Sequence, residues 1–61
     1  MPDVWTNDGV EYTIDAKVGG GVITAQREGD KTAHSRMVSK LVTREETEKL
    51  FERDLSKAKL L

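Results

Sequence analysis

Apolar and polar residues alternate without interruption along one early segment of the chain. From Val10 to Val18 every second side chain is apolar, and the residues between them are polar or charged. Alternation with a period of two is typical of a strand that packs one face on a core and exposes the other to water. Residues 10–18 are therefore predicted to form a strand of an antiparallel sheet.

A turn signal directly precedes this strand. The dipeptide Asp8-Gly9 is typical of a two-residue hairpin turn, so a first strand is predicted over 3–7. A turn at these two positions sets Trp5 opposite Tyr12. An aromatic cross-strand pair contributes about 0.2–1 kcal/mol, which is a useful amount in a domain of this size.

Three consecutive glycines, at positions 19–21, follow the alternating strand. A two-residue turn at positions 20 and 21 predicts a strand over 22–28, with Val18 opposite Ile23 and Ala16 opposite Ala25. This register keeps the apolar side chains of both strands on one face, whereas a slip by one residue would mix them with charged side chains.

The stretch from residue 31 to residue 42 is compatible with a strand or a helix. A strand over 32–41 places His34, Arg36 and Lys40 on one face. A helix instead gathers an apolar stripe, which consists of Ala33, Met37, Val38, Leu41 and Val42. The Gly-Asp turn before this stretch and its several Ser and Thr residues, which are weak helix formers, favour the strand.

A helix is predicted over residues 44–59. Thr43 and Glu46 have the spacing of a capping box, in which each side chain bonds the backbone amide of the other residue. An apolar stripe follows, made of Leu50, Phe51, Leu55 and Ala58. The predicted fold class is α+β: one small domain over 1–61, with an antiparallel β-meander of three to four strands and one C-terminal helix packed on it.

Composition removes most kinds of chemistry from consideration. A chain of 61 residues is too short for a multidomain enzyme, and it has no Cys and one histidine, His34. A thiolate zinc site and a histidine-built metal site are therefore not expected, and no Asp-rich calcium loop is present. His34 with Ser35 or Ser39 would need an enclosing pocket that so short a chain rarely forms. We predict no catalytic residue, cofactor or metal ion.

Charge is distributed unevenly along the chain, although the net charge is only −1. Residues 1–30 hold six acidic and two basic residues, whereas residues 31–61 hold eight basic and five acidic ones. No acidic residue occurs between Lys31 and Arg44. The candidate partner-binding residues are the Lys, Arg and His residues of this interval, called the basic stripe below: Lys31, His34, Arg36, Lys40 and Arg44.

These features favour a non-catalytic interaction module, a small regulator or inhibitor that binds a protein partner. The alternative is a nucleic-acid-binding regulator that uses the basic stripe of residues 31–44. The small core and an exposed sheet edge also predict a homodimer. The chain lacks a long apolar run and an apolar N-terminal segment, so we expect a soluble cytoplasmic protein without membrane contact.

The nucleic-acid alternative has one parallel in a known family. Over residues 10–58, a meander followed by a helix that is entered through Thr43 to Glu46 resembles the arm-type DNA-binding domains of phage integrases in its order of elements. That resemblance implies a sheet that enters the major groove. The sheets of that family are rich in Lys and Arg, whereas the first two long strands here are acidic.

Overall fold

The computed structural model describes residues 2–59, and the side chains of residues 2–56. It contains four strands and one helix: β1 (Asp3–Asn7), β2 (Val10–Lys17), β3 (Gly20–Arg27), β4 (His34–Val38) and α1 (Arg44–Lys59). The strands form one antiparallel sheet in the order β1-β2-β3-β4. The predicted α+β meander with a C-terminal helix is confirmed.

The first hairpin has the predicted turn. Asp8 and Gly9 both have positive φ angles, of 52° and 76°, as a type I′ turn requires. Trp5 lies opposite Tyr12, and the two rings stack with their centroids 5.3 Å apart and their planes 19° from parallel. The stack contributes to the apolar face on which the helix packs.

The second hairpin turns two residues earlier than predicted. Val18 and Gly19 form the turn, Lys17 lies opposite Gly20, and Ile14 rather than Val18 lies opposite Ile23. Gly19 has a φ of 80°, so it supplies the positive φ that the second turn position requires. The predicted register is therefore wrong, and β3 begins at residue 20. The apolar faces still match, because the register changes by an even number of residues.

The ambiguous stretch contains a strand, β4, and the helical alternative is wrong. The strand covers residues 34–38 and is shorter than the predicted 32–41, so Lys40 lies in the connection to α1. His34, Arg36 and Val38 lie opposite residues on the helix-facing side of β3, including the fully buried Ile23. Met37 points to the other face of the sheet and is 88% exposed.

The core lies between α1 and the middle of the sheet. Its buried members are Val10, Tyr12, Ile23, Ala25, Phe51 and Leu55. Fewer residues of β2 are buried than its alternation predicts, since Ile14 is half-buried and Ala16 is exposed at the end of the strand. The helix therefore covers only one part of the sheet face. The Ala58 side chain, also predicted for the core, lies outside the described residues.

The capping box at the start of α1 is confirmed. The Glu46 amide donates to Thr43 Oγ1 at 3.1 Å, and the Thr43 amide donates to Glu46 Oε1 at 3.1 Å. Thr47 is fully buried, and its hydroxyl donates to the Thr43 carbonyl at 2.9 Å. The helix start is thus fixed by satisfied polar groups. Within residues 2–59, no helix is long and apolar enough to cross a membrane.

Candidate functional site

The structure separates the two arginines of the basic stripe by the width of the sheet. Arg36 lies on β4 at one edge, and Arg44 lies against β1 at the opposite edge. His34 is half-buried on β4, and Lys31 and Lys40 are exposed in the loops before and after that strand. The stripe is therefore not one continuous binding surface.

Arg44 holds the start of α1 against β1. Its Nε and Nη2 donate to the two carboxylate oxygens of Asp3 at 2.8 and 2.6 Å, and its guanidinium lies 4.9 Å from the centre of the Trp5 ring. Glu48, one turn later, accepts from Trp5 Nε1 and from Asn7 Nδ2, both at 2.9 Å. These five residues, called the β1 clamp below, give Arg44 a role within the fold.

Two carboxylates at the helix start are stabilised in their charged form. Hydrogen bonds from Arg44 hold the pKa of Asp3 below its ordinary value of 3.8, and the bond from the Thr43 amide holds the pKa of Glu46 below its ordinary value of 4.5. A carboxyl whose pKa is lower in the folded chain stabilises the fold above its unfolded pKa. This contribution is lost as the pH falls towards the folded pKa.

We therefore expect the free energy of unfolding to decrease as the pH falls from about 5 to about 3. Asp3→Asn should reduce the slope of that decrease, because one of the two carboxyls no longer titrates. Asp30→Asn, which changes an exposed turn carboxylate without an ion pair among the described residues, is the matched control. Urea unfolding curves between pH 3 and pH 7 measure the effect, and equal slopes for parent and Asp3→Asn would contradict it.

Arg36 is also engaged within the chain. Its Nε and Nη2 donate to one carboxylate oxygen of Asp54 at 3.3 and 3.1 Å, which joins β4 to the second half of α1. Within residues 2–56, Lys31 and Lys40 make no ion pair. Within the basic stripe, the charges of these two lysines are therefore more accessible to a partner than those of the two paired arginines.

A groove of about 510 Å³ opens between the end of β4 and the first half of α1. Its lining residues, which define the β4–α1 groove, are Met37, Val38, Ser39, Lys40, Val42, Glu46, Lys49 and Leu50. Half of these side chains are apolar. Leu50 is 41% exposed, and Val38 and Val42 are half-buried, so the groove presents apolar surface to solvent.

Charge around the β4–α1 groove is mostly positive. Lys40 and Lys49 line it, and the single carboxylate, that of Glu46, is committed to the Thr43 amide in the capping box. Apolar side chains with cations at the rim suit an apolar segment that carries acidic groups. Among the described residues, no group of three His, Asp or Glu side chains is placed to hold a metal ion.

A second cavity, of about 430 Å³, lies on the other flank of α1 beside the β1 clamp. It is lined by Tyr12 and by several carboxylates, among them Glu48 and Glu52. Burial, and then the nearby Glu48 carboxylate, raise the pKa of Tyr12. Glu48 already accepts two hydrogen bonds from β1, so its carboxylate is engaged within the fold.

Three comparisons were made with known proteins. Neither the protein-family models nor the curated proteins nor the solved structures contain a match to this chain. The resemblance to integrase arm-type domains thus stays one of element order.

Sequence reasoning found Lys40 but missed most of the groove. The apolar stripe predicted for α1 contains both Leu50 and Phe51, which point about 100° apart on a helix, and α1 turns only one of them fully into the core. Phe51 is fully buried and Leu50 is 41% exposed. The signal in the sequence for an exposed apolar side chain was the adjacent pair Leu50-Phe51. Lys49 could not be found in this way, because its place beside Lys40 depends on how the helix packs.

Proposed function

We propose that this protein is a non-catalytic protein-binding module, a small regulator or inhibitor, and that its partner docks in the β4–α1 groove. The observation that carries the proposal is the apolar surface of Leu50 and Val42 beside Lys40 and Lys49 in the same groove. Protein interfaces combine an apolar centre with a polar, solvent-accessible rim, and this groove has both. The module acts by occupying a surface of its partner.

The engaged arginines favour a protein partner over a nucleic acid. Arg36 is bonded to Asp54, and Arg44 is bonded to Asp3 at the opposite edge of the sheet. Binding to phosphates gains its free energy from several cations that act together, and two of the five members of the basic stripe would first have to leave carboxylates. Apolar groove residues contribute little to a phosphate backbone contact and much to a protein interface.

The groove is better suited to a different protein than to a second copy through β4. Antiparallel pairing of β4 with its own copy about its middle residue would set Arg36 directly opposite Arg36 of the other chain, and like charges directly opposite each other are destabilising. The predicted homodimer would need another surface and stays a prediction, as does the cytoplasmic location.

The test replaces one apolar residue of the groove with a charged residue. Leu50→Lys should reduce capture of the partner from cells of the native host at least about tenfold, because a central apolar contact is lost and a charge is buried. Val4→Lys, on β1 at the opposite edge of the sheet, also puts a lysine in place of an exposed aliphatic residue, far from the groove, and should leave capture unchanged. Thermal melts of both variants control for folding.

Two results would contradict the proposal. One is full retention of every captured protein by Leu50→Lys. The other is capture that disappears on nuclease treatment, which would transfer support to the nucleic-acid alternative. Capture of a protein by the parent and by Val4→Lys, with its loss in a folded Leu50→Lys variant, supports the β4–α1 groove as the binding site.

A further inference from the structure

The outer edge of β4 is unpaired. Within residues 2–59 the sheet order is β1-β2-β3-β4, and β4 pairs with β3 alone. The backbone hydrogen bonds outside the regular elements do not involve β4 either. An edge strand presents a row of N–H and C=O groups that can pair with another extended chain. β4 contains no proline, so its edge is not blocked in that way.

The two edges of the sheet differ in what lies beside them. At β1 the helix-facing side chains Asp3, Trp5 and Asn7 are all bonded to α1 through the β1 clamp. At β4 the β4–α1 groove lies open next to Val38. Among the described residues, only the β4 edge therefore combines unpaired backbone groups with an apolar groove rimmed by lysines, since the cavity beside the β1 clamp is lined by several carboxylates.

Charge near β4 indicates what kind of chain can add there. Lys31 precedes the strand, Lys40 follows it, and Lys49 lines the groove from the helix. A segment that runs along β4 would thus meet a cation near each end. Acidic residues at both ends of the segment complement this arrangement, and apolar residues at alternate positions between them fill the groove.

We propose, on the basis of the proposed function, that the partner contributes an acidic extended segment that adds to β4 as a fifth strand. Backbone pairing to β4 supplies affinity, and alternate apolar side chains enter the β4–α1 groove. A five-residue strand spans roughly 17 Å, at about 3.3–3.4 Å per residue, so about five residues of the segment pair with β4.

The probe is a synthetic nonapeptide, acetyl-Asp-Asp-Val-Thr-Val-Thr-Val-Asp-Asp-amide, titrated into ¹⁵N-labelled protein and followed by NMR. The largest shifts are expected at the amides of β4 and of residues 39–42, and the outward-pointing β4 amides should exchange more slowly with solvent. The same peptide with Lys in place of every Asp should bind at least about tenfold more weakly, because its charges meet Lys31 and Lys40.

Two methylated peptides separate strand addition from side-chain docking. In an added strand, alternate N–H groups point towards β4 and the others point away. The N–H groups that point towards β4 therefore belong either to the three Val or to the two Thr residues. N-methylation of the set that points towards β4 should weaken binding about tenfold or more, and N-methylation of the other set should leave binding unchanged. Equal effects of the two patterns, or equal binding of the Lys peptide, would overturn the proposal.

The outcomes also separate this proposal from the function on which it rests. If the acidic peptide leaves the β4 amides unperturbed while Leu50→Lys still loses the captured partner, strand addition is wrong and protein binding stands. If Leu50→Lys retains its partner, the proposed function is wrong as well. Concentration-dependent shifts of the β4 amides without peptide would identify a second copy as the occupant and overturn the acidic-segment proposal.

Discussion

Phe51→Ala should leave the chain largely unfolded at 25 °C. Phe51 is fully buried on α1 and belongs to the same core cluster as the fully buried Ile23 of β3. Truncation of a buried Phe costs about 3–5 kcal/mol, because apolar contacts are lost and a cavity remains. A core of this size supplies about 3–5 kcal/mol in total. Circular dichroism melts would show a greatly reduced transition.

The control for this prediction is an exposed aliphatic residue. Leu41 is 74% exposed, so Leu41→Ala should change the free energy of unfolding by no more than about 0.5 kcal/mol. Ile23→Ala should be more damaging than Ile14→Ala, since Ile23 is fully buried and Ile14 is half-buried. A melt of Phe51→Ala within a few degrees of the parent would show that the helix does not pack as described.

The strands and the helix could be predicted because their signals are local. Alternation along β2, the Asp8-Gly9 turn and the capping box at Thr43 each depend on residues within a few positions of one another. The helix bounds of 44–59 and the pairing of Trp5 with Tyr12 are confirmed. The register predicted for the second hairpin is wrong, because three successive glycines allow several turns that keep the same apolar face.

The candidate site could not be predicted to the same extent, because its residues are brought together by long-range packing. Arg44 and Asp3 are 41 positions apart, and Arg36 and Asp54 are 18 apart. No local pattern shows that these cations have intramolecular partners. The sequence therefore indicates a basic stripe, whereas the fold leaves an apolar groove with lysines at its rim.

Gly20→Ala should separate β4 from the sheet. A Cβ at residue 20 would overlap the carbonyl oxygen of Val38 and lie 2.9 Å from the Ser39 Cα, and both neighbours are backbone atoms that cannot rotate away. Gly20 also has a φ of 148°, which side-chain-bearing residues rarely adopt. Overpacking costs about 1–3 kcal/mol and backbone strain about 1–3 kcal/mol, so a loss of at least about 2 kcal/mol is expected.

Gly29→Ala is the matched control, since Gly29 has a φ of 88° and open space where its Cβ would stand. It should lose only the strain, about 1–2 kcal/mol. Gly20→Ala should in addition expose the β4 amides to hydrogen exchange and abolish binding of the acidic nonapeptide, because Val38 both pairs with β3 and lines the groove. If the two variants lose equal stability and the β4 amides stay protected from exchange, the prediction is wrong. Gly20 would then not lie as close to the Val38 backbone as described.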